Sequence, residues 1–274
     1  PKDQLSKLLL SATNTFSSLS KSIIQPLSPP KIKTTVTAKK NLTCAVITPI
    51  GPGHEVLALE AEKSINRAIL NSKGPFSEIF FYSIDDTKAK LGRSAARNIA
   101  IQNLLHEGID WVFFLDADDL LLPTTFKNIT KYIKKYNAIW GAIAVQEKGS
   151  DQAILRSPQY KIKNIRELVI LPPFATLQMG HFIKTSIAAL YPFDENKNTG
   201  EDYDYYLRVW EKEKCIKINN QPFFINRRGL HSLGERSATG QEWNIATKKL
   251  QQEYIQKLKI THTQTINITK KHMS

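Results

Sequence analysis

Cysteine is nearly absent: Cys44 and Cys215 are the only two in 274 residues, each inside an apolar stretch. Neither a disulfide framework nor a Cys-x-x-Cys metal knuckle can be drawn from them, and a reducing compartment fits best. Long hydrophobic runs are missing too. No window reaches the ~20 apolar residues of a membrane-spanning helix, and the N-terminal residues lack the charged start, apolar run and cleavage site of a signal peptide. The chain is therefore expected in the cytoplasm, free or peripheral on the inner face of a membrane. Acidic residues are in deficit, 25 Asp+Glu against 38 Lys+Arg, which leaves a net charge of +13 and a pI of about 9.6. Such a balance favours anionic partners. Lys and Arg are scattered along the chain and concentrated near both ends, with no basic-aromatic recognition motif in the middle, which argues against nucleic acid. Asn-x-Thr triplets begin at Asn41, Asn128 and Asn267, but an acceptor sequon means little without secretion.

What is present is enough for one sizeable core, with 41% hydrophobic residues. Residues 1–40 are rich in Ser, Thr, Lys and Pro and read as an arm and linker. Leu5, Leu8, Leu9, Phe16, Leu19, Ile23 and Ile24, with Lys2, Lys7 and Lys21 nearby, leave open a helix suited to an anionic membrane surface. Residues 41–245 read as a catalytic domain, and 246–274 as a C-terminal basic helix and tail.

Within the domain, Cys44–Ile50 is an apolar run ended by Gly51-Pro52-Gly53, as in a buried strand entering a loop. A helix follows from Glu55 to about Leu70, then a strand Ile79–Ile84 stopping at Asp85-Asp86, a helix from about Ser94 to Leu105, and a strand Trp111–Leu115 running into acidic residues. Thr124–Lys135 is predicted helical, Ala138–Val145 and Gln178–Ile183 extended, and Asp202–Lys212 helical. Cys215–Asn226 reads as two short strands broken at Pro222, and Trp243–Lys259 as a basic helix. The stretch from Glu147 to Pro173 carries no clear period. Apolar strands alternating with helices predict an α/β fold, a mostly parallel central sheet flanked by helices, with basic N- and C-terminal appendages. Ligands collect at the carboxyl ends of such strands, where Thr48, Asp85, Asp86, Asp116 and Asp118 stand.

Asp116-Ala117-Asp118-Asp119 places several carboxylates at the end of a buried strand, where they repel one another and resist desolvation. Oxygen ligands of this kind suit Mg²⁺ or Mn²⁺. An acidic turn capping the next helix, with Asp119 as the cap, is the alternative for this motif alone. Glu201-Asp202 opens a helical run and allows the same two readings, catalytic carboxylates or helix-start residues.

Five segments in order then resemble the family-2 glycosyltransferases of the GT-A (Rossmann-like) fold: VITPI at 46–50, SIDD at 83–86, GRSAARNIAI at 92–101, WVFFLDADDLLLP at 111–123 and NTGEDYDYYLRVW at 198–210. The resemblance covers roughly residues 43 to 231. It implies an inverting transfer from a nucleotide-diphosphate sugar, a UDP-sugar by default, to a hydroxyl of a glycan or lipid-linked saccharide. Thr48 and Pro49 would then lie against the nucleotide base, with Asp85 or Asp86 accepting a hydrogen bond from it. Arg93 and Arg97 would approach the diphosphate or ribose. Asp116 would contact the ribose and, with Asp118, the metal, with His231 as a further ligand. Asp202, beside Glu201, would act as base. Arg236 and Ser237 fall in a segment suited to a flap, with Trp243 as its anchor or as a core residue. The chain departs from the pattern at Gly51-Pro52-Gly53-His54, where an aromatic residue and Asn are usual, and at SIDDTK, which lacks the usual Gly-Ser. Two other readings stay open: a nucleotidyltransferase of related fold, although no Lys or Arg follows the first strand until Lys63, and a basic nucleic-acid or membrane-surface binding module.

Overall fold

The computed structural model describes residues 41–156, 158, 160–197, 199–229 and 240–273. The expected N-terminal arm, His231, Arg236 and Ser237 lie outside the described residues. The chain order is β1 (Leu42–Ile50), α1 (Glu55–Asn71), β2 (Phe76–Asp85), α2 (Arg93–His106), β3 (Trp111–Phe114), β4 (Leu120–Leu121), α3 (Thr125–Asn128), β5 (Ala138–Gln146), β6 (Ala153–Leu155), α4 (Ile165–Ile170), α5 (Pro173–Thr176), β7 (His181–Lys184), α6 (Thr185–Leu190), α7 (Glu201–Lys212), β8 (Cys215–Arg227), α8 (Gly240–Lys257) and α9 (His262–Met273).

The strands form one sheet in the order β2-β1-β3-β7-β5-β8-β4, with β6 added to β5. Alternate residues of the apolar runs enter opposite cores, because successive side chains of a strand point to opposite faces. Cys44, Val46, Trp111 and Phe113 meet Ala61, Ile65 and Ala68 of α1. Ala45, Ile47, Val112 and Phe114 meet Ala100, Ile101 and Leu104 of α2 and the aromatic face of α7. Both faces are covered, which is why these strands are apolar at nearly every position, Thr43 and Thr48 of β1 excepted, rather than at every second one. Burying each large side chain contributes roughly 1.5–3 kcal/mol, and Ala58, Ala61, Ile65 and Ala68 of α1 keep the helical spacing that such burial requires.

The sheet is mixed rather than mostly parallel. β2, β1 and β3 run parallel, and so do β5 and β8, but β7 lies antiparallel between β3 and β5, and β4 and β6 also pair antiparallel. The helix expected over Thr124–Lys135 stops at Asn128 and continues as turns. Thr130 Oγ1 donates to Lys127 O at 2.8 Å and competes with the backbone ladder. β8 is one strand whose ladder jumps from Trp140 opposite Lys217 to Ala142 opposite Pro222. The expected break is therefore a bulge, a place where proline is tolerated. Gly141 makes room for it: a Cβ there would stand 2.7 Å from Gln221 O and 2.9 Å from the Phe223 ring. The unassigned middle holds α4, whose N-cap Asn164 accepts from Glu167 N at 3.0 Å. α8 starts before the expected boundary at 245 and is followed by α9. Gln251 donates to Leu171 O, and Lys257–Glu211 and Lys271–Glu167 ion pairs at 2.7 and 2.6 Å tie both helices to the domain.

Candidate active site at the carboxyl ends of β1, β2 and β3

Three carboxylates meet immediately after β3. Oxygen atoms of Asp116, Asp118 and Asp119 all lie within 4.8 Å of one another. Asp119 is buried and points back into the fold, where its Oδ1 accepts from Asn226 Nδ2 at 3.2 Å and from Arg227 N at 3.1 Å on β8. It is thus tied to the sheet and does not cap α3. Burial first, then the neighbouring charges of Asp118 and Asp116, push its carboxyl well above the usual range despite those two hydrogen bonds. A cluster that raises its own proton affinity in this way accommodates a cation, and its hard oxygens fit Mg²⁺ or Mn²⁺. Arg227 braces the turn from the other side. Its Nε donates to Asp118 O at 2.6 Å and its Nη1 pairs with Glu60 of α1.

A second group lies at the start of α7 and is joined to the first by arginine. Arg97, on α2, is buried; its Nη2 pairs with Asp116 Oδ1 at 2.7 Å and its Nη1 stands 3.9 Å from Glu201 Oε1. Arg93, one turn earlier, places Nε 2.7 Å from the same Glu201 oxygen. The two arginines expected at the diphosphate or ribose are therefore engaged here with carboxylates. Glu201 is buried, and burial and then Asp202 raise its pKa while Arg93 and Arg97 oppose the rise. Asp202 is half-buried and differently held: Oδ1 accepts from Tyr203 N at 2.7 Å and from Trp243 Nε1 at 3.0 Å. Among the described residues no hydrogen bond reaches its Oδ2. Of the acidic pair, Glu201 is paired with arginine, and Asp202 has no arginine partner among the described residues.

The expected base pocket is only partly assembled. Thr48 is fully buried on β1 with no partner for its hydroxyl among the described residues, and Pro49 beside it is half-buried. Asp86 N donates to Ile50 O at 2.8 Å, which joins the ends of β1 and β2. The Asp86 carboxylate folds into its own loop, accepting from Lys90 N, Leu91 N and Gly92 N at 2.8, 2.9 and 2.7 Å, and so shapes the entry to α2. Asp85 is exposed, with Oδ1 accepting from Thr87 N at 3.0 Å, and that contact holds its pKa down. Of the two, Asp85 is the one facing outward.

Sequence reasoning missed three participants. Asp119 stood in the motif but read equally well as a cap. Arg227 carried no local signal, because its contact with Asp118 O depends on β8 pairing with β4. Arg156 is buried beside Phe174, 4.0 Å from guanidinium carbon to ring centroid, and donates to Phe174 O at 2.8 Å. Burial and then Arg228 hold its pKa down to about 10, with Asp119 and Glu147 opposing.

Comparison with known proteins bears on the family and the fold. Residues 78–189 match the model of glycosyl transferase family 2. An uncharacterized glycosyltransferase of Methanocaldococcus jannaschii is 28% identical over 123 residues, 43% of this chain and 41% of that protein. This chain thus spans about two-fifths of that relative's length. Among solved structures, TarS residues 1–349 of S. aureus in complex with UDP-GlcNAc superposes with a TM-score of 0.54 at 12% identity, covering 85% of this chain and 72% of that one. A longer S. aureus TarS structure gives 0.53 at 11% identity, covering 85% and 43%. The resemblance to family-2 glycosyltransferases of the GT-A fold is thereby shown, and the mixed α/β sheet flanked by helices is that fold.

Proposed function

We propose that the chain is a metal-assisted, inverting glycosyltransferase that moves a sugar from a nucleoside diphosphate sugar, by preference a UDP-sugar, to a hydroxyl of a glycan or lipid-linked saccharide. One observation carries the reading: the carboxylate cluster after β3 and the acidic start of α7 share a single buried guanidinium, Arg97. A donor centre and an acceptor base must lie on opposite sides of one anomeric carbon, and a common arginine fixes their separation. That TarS was crystallised with UDP-GlcNAc supports uracil as the base. In this reading Asp116 meets the ribose, and Asp118 and Asp119, joined by His231, hold Mn²⁺ or Mg²⁺. The ion supplies counter-charge to the departing diphosphate. Pro49 and Asp85 flank the nucleobase, with Thr48 beneath. Asp202 Oδ2 takes the proton of the acceptor hydroxyl as its oxygen attacks.

Residues 41–245 then form the catalytic domain, and residues 1–40 and the C-terminal basic segment dock it on an anionic membrane surface. No helix among the described residues is long and apolar enough to cross a membrane. The test is UDP release from a panel of UDP-sugars with Mn²⁺. Asp202→Asn should keep donor binding and lose turnover by two or more orders of magnitude, in line with removal of a general base. Turnover at the wild-type rate in that variant would end the assignment.

A further inference from the structure

We infer that Trp243 is a positioning residue for the base: through its indole N–H it fixes the Asp202 carboxylate so that Oδ2 faces the acceptor. The inference rests on the role of Asp202 proposed above. Trp243 lies 41 positions along the chain on α8, yet its Nε1 donates to Asp202 Oδ1 at 3.0 Å. The same oxygen accepts Tyr203 N at 2.7 Å. Two donors on one oxygen leave the carboxylate no rotation that keeps both, so the other oxygen acquires a fixed direction. A base needs this, because proton abstraction demands a defined approach to the hydroxyl.

The surroundings hold the indole in turn. The Phe174 ring meets it edge-on, 6.4 Å between centroids at 77°. Arg156 covers Phe174 at 4.0 Å and also reaches toward Asn226, the residue that donates to Asp119. α8 itself abuts the start of α7. Gly200, the N-cap of α7 with φ of 72°, has so little room that a Cβ there would stand 3.2 Å from Ala246 Cβ, with Leu250 and Thr247 at 3.9 Å. The helix bearing Trp243 is thus seated on the turn that delivers Asp202, and Gly200 is the residue small enough to allow it. Packing alone would account for Phe174. It does not account for an N–H aimed at the one carboxylate of the pair that no arginine occupies.

The experiment uses the full chain, Mn²⁺ and UDP-GlcNAc, and compares wild type, Trp243→Phe, Asp202→Asn and a chain carrying 3-benzothienylalanine at 243. That isostere keeps the bicyclic shape and lacks only the N–H. The expected result is a fall in kcat of roughly ten-fold or more in both Trp243 variants, with donor KM within about two-fold and little change in Tm for the isostere. In parallel, the indole ¹H–¹⁵N signal identified by its loss in Trp243→Phe should be protected from solvent exchange and should move in Asp202→Asn. A wild-type kcat in the isostere, with Asp202→Asn inactive, overturns the role of Trp243 and leaves the base in place. An active Asp202→Asn, or a wild-type chain that releases no UDP, overturns the functional reading beneath it. An indole signal that exchanges freely refutes the contact whatever the activity.

Discussion

Replacing Arg97 by Met should destabilise the protein and should do so through Glu201. The guanidinium is buried, and so is Glu201, whereas Asp116 keeps 38% of its side chain exposed. Breaking a fully buried ion pair by removing one partner costs about 3–5 kcal/mol. The Asp116 contact must be discounted for solvent screening, so about 2–4 kcal/mol is the expected loss. At about 2–4 °C per kcal/mol for a domain of this size, Tm should fall by roughly 4–16 °C. The variant leaves Glu201 next to Asp202, with Arg93 as its remaining close cation among the described residues. Its carboxyl, already raised by burial and Asp202, rises further. A carboxyl whose folded pKa lies above its unfolded value destabilises the fold at higher pH, and protonation relieves it. The deficit should therefore narrow as pH falls from 7 toward 5. Adding Glu201→Gln should recover part of the loss, a non-additivity expected of groups in contact. Melting curves on the four proteins of this cycle decide the matter. A Tm drop under about 2 °C, or strict additivity with Glu201→Gln, would refute the argument.

Lys217 is fully buried and donates to Tyr160 O at 2.8 Å; burial and then Arg156 lower its pKa from 10.5 to about 7. Between pH 7 and 10.5 the unfolded chain binds this proton more than the folded chain does, so stability rises with pH across that window. The Tm advantage of Lys217→Met over wild type should be largest near pH 6 and shrink by pH 9, and a difference independent of pH would count against it. Gly180→Ala would place a Cβ 2.1 Å from the buried Phe224 ring. Overpacking of this kind costs about 1–3 kcal/mol, seen as a Tm lower by roughly 2–12 °C; an unchanged melt would show that Phe224 moves freely.

How much of this was legible in the sequence depended on whether the deciding contact was local. The strands at Cys44–Ile50 and Trp111–Leu115 announced themselves because both faces are buried and, Thr48 apart, every position is apolar. Asp116 and Asp118 stood out directly after such a run, although the motif alone read equally well as a capping turn, and the structure brings them together with Asp119. α4 was readable too but was passed over: Asn164 with Glu167 three residues on is a capping signature, and the structure uses it. The antiparallel course of β7 was not readable, because the run His181–Lys184 carries no mark of direction, which is set by the chain's route. The partners of Asp86 and Asp202 were hidden in different ways. Asp86 spends its carboxylate on amides four to six residues ahead, a loop conformation with no pattern of its own. Asp202 meets an indole on a helix whose docking is set by Gly200 and by ion pairs such as Lys257–Glu211. Arg93 and Arg97 are engaged with carboxylates, a use the sequence did not separate from phosphate binding, since a guanidinium suited to phosphate suits a carboxylate equally well.

Calorimetric titration of UDP into the full chain, with and without Mn²⁺ and alongside Asp118→Ala, tests the central claim most directly. The account predicts binding that needs Mn²⁺ in the wild type and is lost, or weakened at least ten-fold, in the variant. Binding that ignores the metal and survives Asp118→Ala, or no binding of any nucleoside diphosphate in a panel, would contradict it.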